Sequence, residues 1–335
     1  METTGQSIKY KLQTVGFYNV ENLFDTIDDP ITNDDDYTPE GKFRYSKQNY
    51  RDKIKNTALV ISQMGSGRND SGPVILGVAE IENGEVLRDL VRSDVLRSSK
   101  YQIIHQDSPD RRGIDVALMY KDDSFNPLEA NFIEVRLWNE KGERIYTRDI
   151  LHVHGIFEQE EIHVIVNHWP SRRGGKSRSD PKRMKAAYLV KQFTDGIFES
   201  NPEAKIIIMG DFNDDPKDKS IVLGLTQVSP VEKKADKFFF NPMLRMYEKG
   251  YNTLAYRDGL NLFDQILVSS NFLSKGTVQN GYRLYRAGVF NPSYLIQRHG
   301  KYSGYPLRSF ENGRYSGGYS DHFPVYIDLI KPLSD

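Results

Sequence analysis

Six short apolar runs in this 335-residue chain end on, or begin from, polar side chains that packing does not call for. Val15–Tyr18 runs into Asn19, with Glu21 two residues on; Val74–Ala79 runs into Glu80; His163–Val166 runs into Asn167 and His168. Ile206–Gly210 runs into Asp211, Phe212 and Asn213, Leu262-Phe263 is followed by Asp264, and Asp321-His322 stands ahead of Phe323-Pro324-Val325. Any one of these is an ordinary turn or helix cap. Together they offer carboxylates, amides and two imidazoles. That is the set divalent-metal phosphoryl chemistry uses: hard oxygen ligands for Mg²⁺ or Mn²⁺, a base for water, and donors for phosphate oxygens.

The runs that carry these residues are strand-sized and bounded by turn residues: Leu12–Tyr18, Val74–Ala79, Tyr101–His105, Ile114–Tyr120, Phe132–Leu137, Ile145–Gly155, Glu161–His168, Lys205–Met209, Leu262–Val268 and Phe323–Leu329. Apolar residues at three- and four-residue spacing predict helices over Lys47–Met64, Glu85–Arg97 and Asp180–Glu199. Several strands follow one another with no helix between, which favours mixed sheets over a purely parallel one. The pattern predicts an α/β (α+β) chain in which two packed sheets carry helices outside. No repeat or long linker divides it, so residues 1–335 read as one domain, expected to be a monomer. Segments without periodicity lie at Thr26–Tyr45, Arg172–Asp180 and Asn280–Ser320, and loops of that length in a compact domain are usually functional.

Composition narrows the chemistry further. The chain has 45 Lys+Arg against 46 Asp+Glu, so no global positive field gathers polyanions, and a coat-type nucleic-acid binder is excluded. It contains no cysteine, which removes disulfides, thiolate metal sites and cysteine nucleophiles. The longest apolar runs fall far short of the ~20 residues of a bilayer span, so a soluble chain is expected. Met1–Tyr10 is polar and carries no export signal, which leaves a cytoplasmic location as the default. Gly175-Lys176-Ser177 imitates the end of a phosphate-binding loop, but Pro170 stands where its first glycine is required. His152, His154 and His163 lie within strand runs and read as sheet histidines.

The order and wording of these segments resemble the endonuclease/exonuclease/phosphatase superfamily, whose fold is like that of deoxyribonuclease I. Gly210-Asp211-Phe212-Asn213-Asp214 and Ser320-Asp321-His322-Phe323-Pro324 carry most of the likeness; Tyr18-Asn19-Val20-Glu21-Asn22, Ala79-Glu80-Ile81-Glu82, Asn167-His168-Trp169-Pro170-Ser171 and Asp264-Gln265-Ile266-Leu267-Val268 support it. The resemblance implies a four-layer sandwich, two packed mixed β-sheets flanked by helices, and hydrolysis of phosphate esters with Mg²⁺ or Mn²⁺. It implies Glu80 as the main metal ligand, with Asn19 and Asp321 near the same or a second ion. Asp211 would orient or deprotonate water and Asn213 would hold it. His322 would meet the phosphate with Asp264 behind it, and His168 would be the second phosphate donor.

The superfamily fixes the bond type and not the molecule. Ser171–Lys185 carries seven basic residues against Asp180, beginning three residues after His168, so Arg172 and Arg173 are expected to meet substrate phosphates. Tyr and Arg interleave over Tyr282–Tyr319, a composition that can stack on bases or pack a long loop. A nucleic-acid phosphodiesterase is therefore the leading expectation. An inositol-phosphate phosphatase, a lipid-headgroup phosphodiesterase and a silent binding module of the same fold are its rivals.

Overall fold

The computed structural model describes residues 9–65, 72–226, 237–256, 259–273 and 281–333. Most of the polar start Met1–Tyr10 and the first residue of Asn280–Ser320 lie outside them.

Twelve strands form two six-stranded sheets. In chain order they are β1 Tyr10–Leu23, β2 Ile75–Ile81, β3 Tyr101–His105, β4 Asp115–Lys121, β5 Phe125–Ile133, β6 Ile150–Phe157, β7 Glu160–His168, β8 Lys205–Asp211, β9 Phe239–Phe240, β10 Asp264–Ser269, β11 Arg283–Val289 and β12 Val325–Pro332. The first sheet runs β11-β12-β1-β2-β4-β3 and the second β9-β10-β8-β7-β6-β5. Both are mixed: β1 is parallel to β2 and antiparallel to β12, and β8 is parallel to β7 and antiparallel to β10.

Period-two alternation explains the layers. On β8, Ile207 and Met209 enter the core between the sheets with Phe17, Val78 and Val166, while Ile206 and Ile208 pack outward with Ala186, Ala187 and Val190 of the helix α3, Lys176–Ser200. The sheets meet so closely at Gly77 that a Cβ there would lie 2.6 Å from the Met209 sulfur. Across the first sheet, Ile54, Ala58 and Ile61 of α1, Lys47–Gln63, cover the outer face together with α2, Gly84–Arg92. Each of these two helices starts on a side-chain cap: Ser46 accepts from the Asn49 N–H at 3.2 Å and Asn83 from the Val86 N–H at 2.9 Å. The result is the four-layer sandwich.

Three expectations shift. β11 lies inside the Asn280–Ser320 segment read as patternless; its sequence alternates weakly because it is an edge strand with one buried residue. The helix α3 begins at Lys176, so the second half of Arg172–Asp180 is helical, with Pro181 in its early turns. The helix expected over Glu85–Arg97 ends at Arg92. Among the described residues no helix is long and apolar enough to cross a membrane.

Candidate active site

Register assembles the site. In the second sheet Asp211 at the end of β8 pairs with His168 at the end of β7 and with Asp264 at the start of β10, so three neighbouring strands deliver three polar side chains at one level. In the first sheet Asn19 pairs with Ala79, which places Glu80 one residue on, and β12 starts with Val325 opposite Phe17 of β1, which brings Asp321 and His322 to the same edge. Side-chain bonds tie the two edges, among them Asn19 Nδ2 donating to Asp211 Oδ2 at 3.1 Å.

Asp211 Oδ2 is the hub. His168 Nε2 lies 3.6 Å from it and His322 Nε2 3.9 Å, while Glu80 Oε1 is 3.8 Å from His168 Nε2. The other Asp211 oxygen accepts the Asn213 N–H at 2.9 Å, and Asn213 Nδ2 donates to the Trp169 carbonyl at 3.0 Å. The other Glu80 oxygen accepts the Asn22 N–H at 2.9 Å. His322 Nδ1 and Asp264 Oδ2 are 2.7 Å apart. Thus Asn19, Glu80, His168, Asp211, Asp264, Asp321 and His322 form one connected cluster, which Asn213 joins through its backbone N–H.

The backbone here is strained. Glu21, Asn22, Glu80 and Asn213 all have positive φ, between 50° and 65°, half of the described non-glycine residues that do. Such conformations cost on the order of 1 kcal/mol or more each and persist where the surroundings over-determine them. Both β1 and β2 break register at this point, which re-aims their side chains.

Electrostatics separates the two imidazoles. Burial disfavours charge on His322, but the carboxylates of Asp264, foremost, and of Asp211 and Asp321 together outweigh it and lift the ring well above its ordinary range, which favours the imidazolium. Burial, with Arg148 and Arg112 adding to it, holds His168 well below that range, so His168 is neutral. Burial lifts the Asp211 carboxyl to about 6, with His322 opposing and Asp264 reinforcing the rise. A carboxylate so placed is unprotonated at neutral pH and still a competent base.

The donor set fits a hard divalent cation. Asp211, Asp264 and His322 each bring a ligating atom within 4.8 Å of the others, and Asp264 Oδ1 is buried with no hydrogen-bond partner. His322 Nδ1 and Asp264 Oδ2, however, are taken up with one another. The carboxylate oxygens beside the two histidines that could face an ion are Asp264 Oδ1, Glu80 Oε1, Asp321 Oδ1 and Asp211 Oδ2, the last already accepting from the Asn19 amide. A second cluster, His105, Asp107 and Asp115, has its Asp115 carboxylate bound to His105 and to the Ser108 N–H.

Arg172 does not face the cleft as a free cation. Its Nη2 meets Asp214, Asp215 and Asp218 at 3.2, 3.2 and 2.6 Å, its Nε donates to the Asn213 carbonyl at 2.9 Å, and its guanidinium lies 4.4 Å over the Phe263 ring. It holds the loop after Asp211. Lys176 and Arg183 are likewise paired with Asp218 and Asp214, whereas Arg173 is exposed.

Sequence reasoning passed over Arg148 and read Arg308 only as one of the interleaved arginines of Tyr282–Tyr319. Buried Arg148 binds Asp110 and the carbonyls of His168 and Trp169, fixing the backbone behind the histidine. Arg308 donates to Glu21 at 2.9 Å and to Asp321 at 3.2 Å. The Glu21 carboxyl, buried beside Asp321, is pushed up to about 7, and buried Lys53 beneath it donates to the Val20 and Tyr319 carbonyls. A signal existed for Arg148: it sits inside a predicted strand run where a charge needs a reason.

Comparison with known proteins agrees with the architecture. The model of the endonuclease/exonuclease/phosphatase family matches residues 14–331. Among solved structures, a humanized D. rerio TDP2 is 14% identical, with a TM-score of 0.56 over 95% of this chain and 98% of that one. A family protein from Bacteroides thetaiotaomicron is 19% identical, with a TM-score of 0.56 over 98% of each chain. A mannosyl-6-phosphatase from the same organism is 21% identical, with a TM-score of 0.55 over 95% of this chain and 99% of that one. Among curated proteins nothing matches. With its family model spanning nearly the whole chain and two mixed sheets carrying the cleft, the protein belongs to the endonuclease/exonuclease/phosphatase family, whose members are phosphoester hydrolases.

Proposed function

We propose that this protein is a divalent-metal-dependent phosphoesterase that hydrolyses its substrate by attack of water positioned at Asp211. The observation that carries the reading is the convergence on Asp211 Oδ2 of Asn19, His168 and His322, with Glu80 next to His168. Glu80, with Asn19 and Asp321 beside it, would hold Mg²⁺ or Mn²⁺, and the ion supplies Lewis-acid neutralisation of phosphoryl charge. Asp211, oriented by Asn19 and the Asn213 N–H, takes the proton of the attacking water. Charged His322 and neutral His168 each offer an N–H to the phosphoryl oxygens as charge grows. Asp264 keeps His322 protonated and aimed, and losing one such donor typically costs about 3 kcal/mol of barrier.

Two substrate readings remain, each with its own support. A nucleic-acid phosphodiester fits the Tyr- and Arg-rich segment that borders the cleft, and one structural relative is a D. rerio TDP2 complexed with a single-strand DNA product. A small phosphomonoester fits the pairing of Arg172, Lys176 and Arg183 with acidic partners, which takes three of the seven basic residues after His168 out of any cationic track; another relative is a mannosyl-6-phosphatase. The pairing favours the monoester.

Release of inorganic phosphate from monoesters and cleavage of oligonucleotides, each with Mn²⁺ and with EDTA, tests both the reaction and the class. Asp211→Ala and His322→Ala should abolish turnover with the fold intact by circular dichroism; either variant keeping more than about a tenth of the wild-type rate contradicts the mechanism.

A further inference from the structure

The Asn280–Ser320 segment does not merely pack against the sandwich. Its residues from Gln297 to Gly313 help line a cavity of ≈ 500 Å³ that also takes in Glu21, Asn22 and Asp321, so the cavity borders the catalytic cluster at Asp321. Asp321 Oδ1 is 3.9 Å from His322 Nε2, so a phosphoryl group at His322 would carry its ester group into this space. The volume is in the range of pockets for small molecules and not of grooves for a duplex.

The lining has a distinct chemistry. One wall is an aromatic cluster anchored across segments, with Phe43 and Phe310 ring centres 5.3 Å apart. The lining also includes Tyr302, 46% exposed, and Tyr256, 62% exposed, which belongs to the antiparallel pair Leu254–Tyr256 and Gly259–Asn261. Scattered exposed aromatics need no explanation, but several around one cavity next to a catalytic centre do. The charges in the lining are two cations, Lys301 and Arg308, against three carboxylates, Glu21, Glu311 and Asp321, and Arg308 is held between two of those acids. The pocket therefore offers a second phosphate no net attraction. Glu311, Gln297 and Asn312 supply oxygen acceptors instead. Flat apolar ring faces beside hydroxyl acceptors suit an uncharged, polyhydroxylated ring.

We propose that this cavity is the specificity pocket for the group esterified to the phosphate, that the group is a single sugar ring, and that Tyr302 and Tyr256 select it by stacking on its carbon–hydrogen face. The proposal rests on the phosphoesterase reading and narrows it to sugar phosphates.

Tyr302→Ala, Tyr256→Ala and the double variant test it, since both side chains are exposed and neither belongs to the catalytic set. With Mn²⁺, KM and kcat are measured on hexose 6-phosphates, glycerol phosphate, a nucleoside 5′-monophosphate and a single-stranded oligonucleotide. The double variant should raise KM for hexose 6-phosphates about tenfold, the size of two ring contacts, with kcat and the kinetics on glycerol phosphate unchanged. An unchanged KM for hexose phosphates, or a loss confined to the nucleotide substrates, overturns the proposal. Calorimetric binding of a hexose 6-phosphate in EDTA separates the two readings. If the wild type hydrolyses none of the esters, the phosphoesterase reading fails; binding that weakens about tenfold in the double variant still supports the pocket, and absent or unaltered binding refutes it.

Discussion

Asp264→Asn isolates the contribution of charge behind His322. The side chains are isosteric, and an asparagine carbonyl can still accept from Nδ1, so the 2.7 Å contact and the fold survive while the negative charge disappears. In the wild type that charge is the foremost of those that outweigh burial and favour the imidazolium. Without it only the weaker fields of Asp211 and Asp321 oppose burial, so the ring holds its proton less firmly and at pH 7 the phosphate loses much of its charged donor. One lost preorganised donor is worth about 3 kcal/mol, or roughly a hundredfold in kcat. The assay is kcat on any ester the wild type hydrolyses, measured from pH 5 to 8 with saturating Mn²⁺. The variant should fall about a hundredfold at pH 7 and, relative to the wild type at the same pH, recover part of the loss as pH drops and the ring regains its proton, both enzymes slowing as Asp211 is protonated near pH 6, while its circular dichroism stays that of the wild type. A variant within threefold of wild type at pH 7 would refute the argument that Asp264 sets the charge state of His322.

Arg172→Ala should lower stability by about 2 kcal/mol, because Asp214, Asp215 and Asp218 lose their shared partner, with Arg173→Ala within about 0.5 kcal/mol of wild type; urea unfolding measures both, and equal effects would show that Arg172 is no anchor of this loop. Stability should also fall in acid through the stacked histidines of the second sheet. Burial and neighbouring rings depress His152 to about 3 and His163 to about 4, below the unfolded value near 6.5, so the unfolded chain binds more protons across that interval. Their full contribution is present above pH 6.5 and is lost as pH falls toward 4 and then 3, by up to about 1.4 kcal/mol per pH unit for each ring. Unfolding midpoints at pH 7 and pH 5 that are the same in the wild type would contradict this.

Much of the site was legible because strands end where their polar residues begin. Asn19, Glu80, His168 and Asp211 each close a hydrophobic run, and a reader of one chain sees that boundary without knowing the fold. What was not legible is pairing over distance. The basic stretch after His168 reads as free cations because Asp214, Asp215 and Asp218, which pair with Arg172, lie some 40 residues further on. Arg308 looks like one more charge in a polar loop until β1 and β12 place Glu21 and Asp321 on either side of it. The edge strand β11 was missed for a related reason: with one face open to solvent it has little apolar alternation to show. Most residues gathered at the cluster stand at an end of their own strand, whereas the partners of Arg148, Arg172 and Arg308 come from other segments.

The central claim is that Glu80 holds the cation on which turnover at Asp211 depends. Its most direct test is hydrolysis rate against Mn²⁺ concentration for wild type and Glu80→Gln, with Mn²⁺ binding followed in parallel by electron paramagnetic resonance. A saturable wild-type curve abolished by EDTA, with both binding and rate lost in Glu80→Gln, is the predicted result; turnover that persists in EDTA, or a variant that binds Mn²⁺ and reacts like the wild type, would contradict the account.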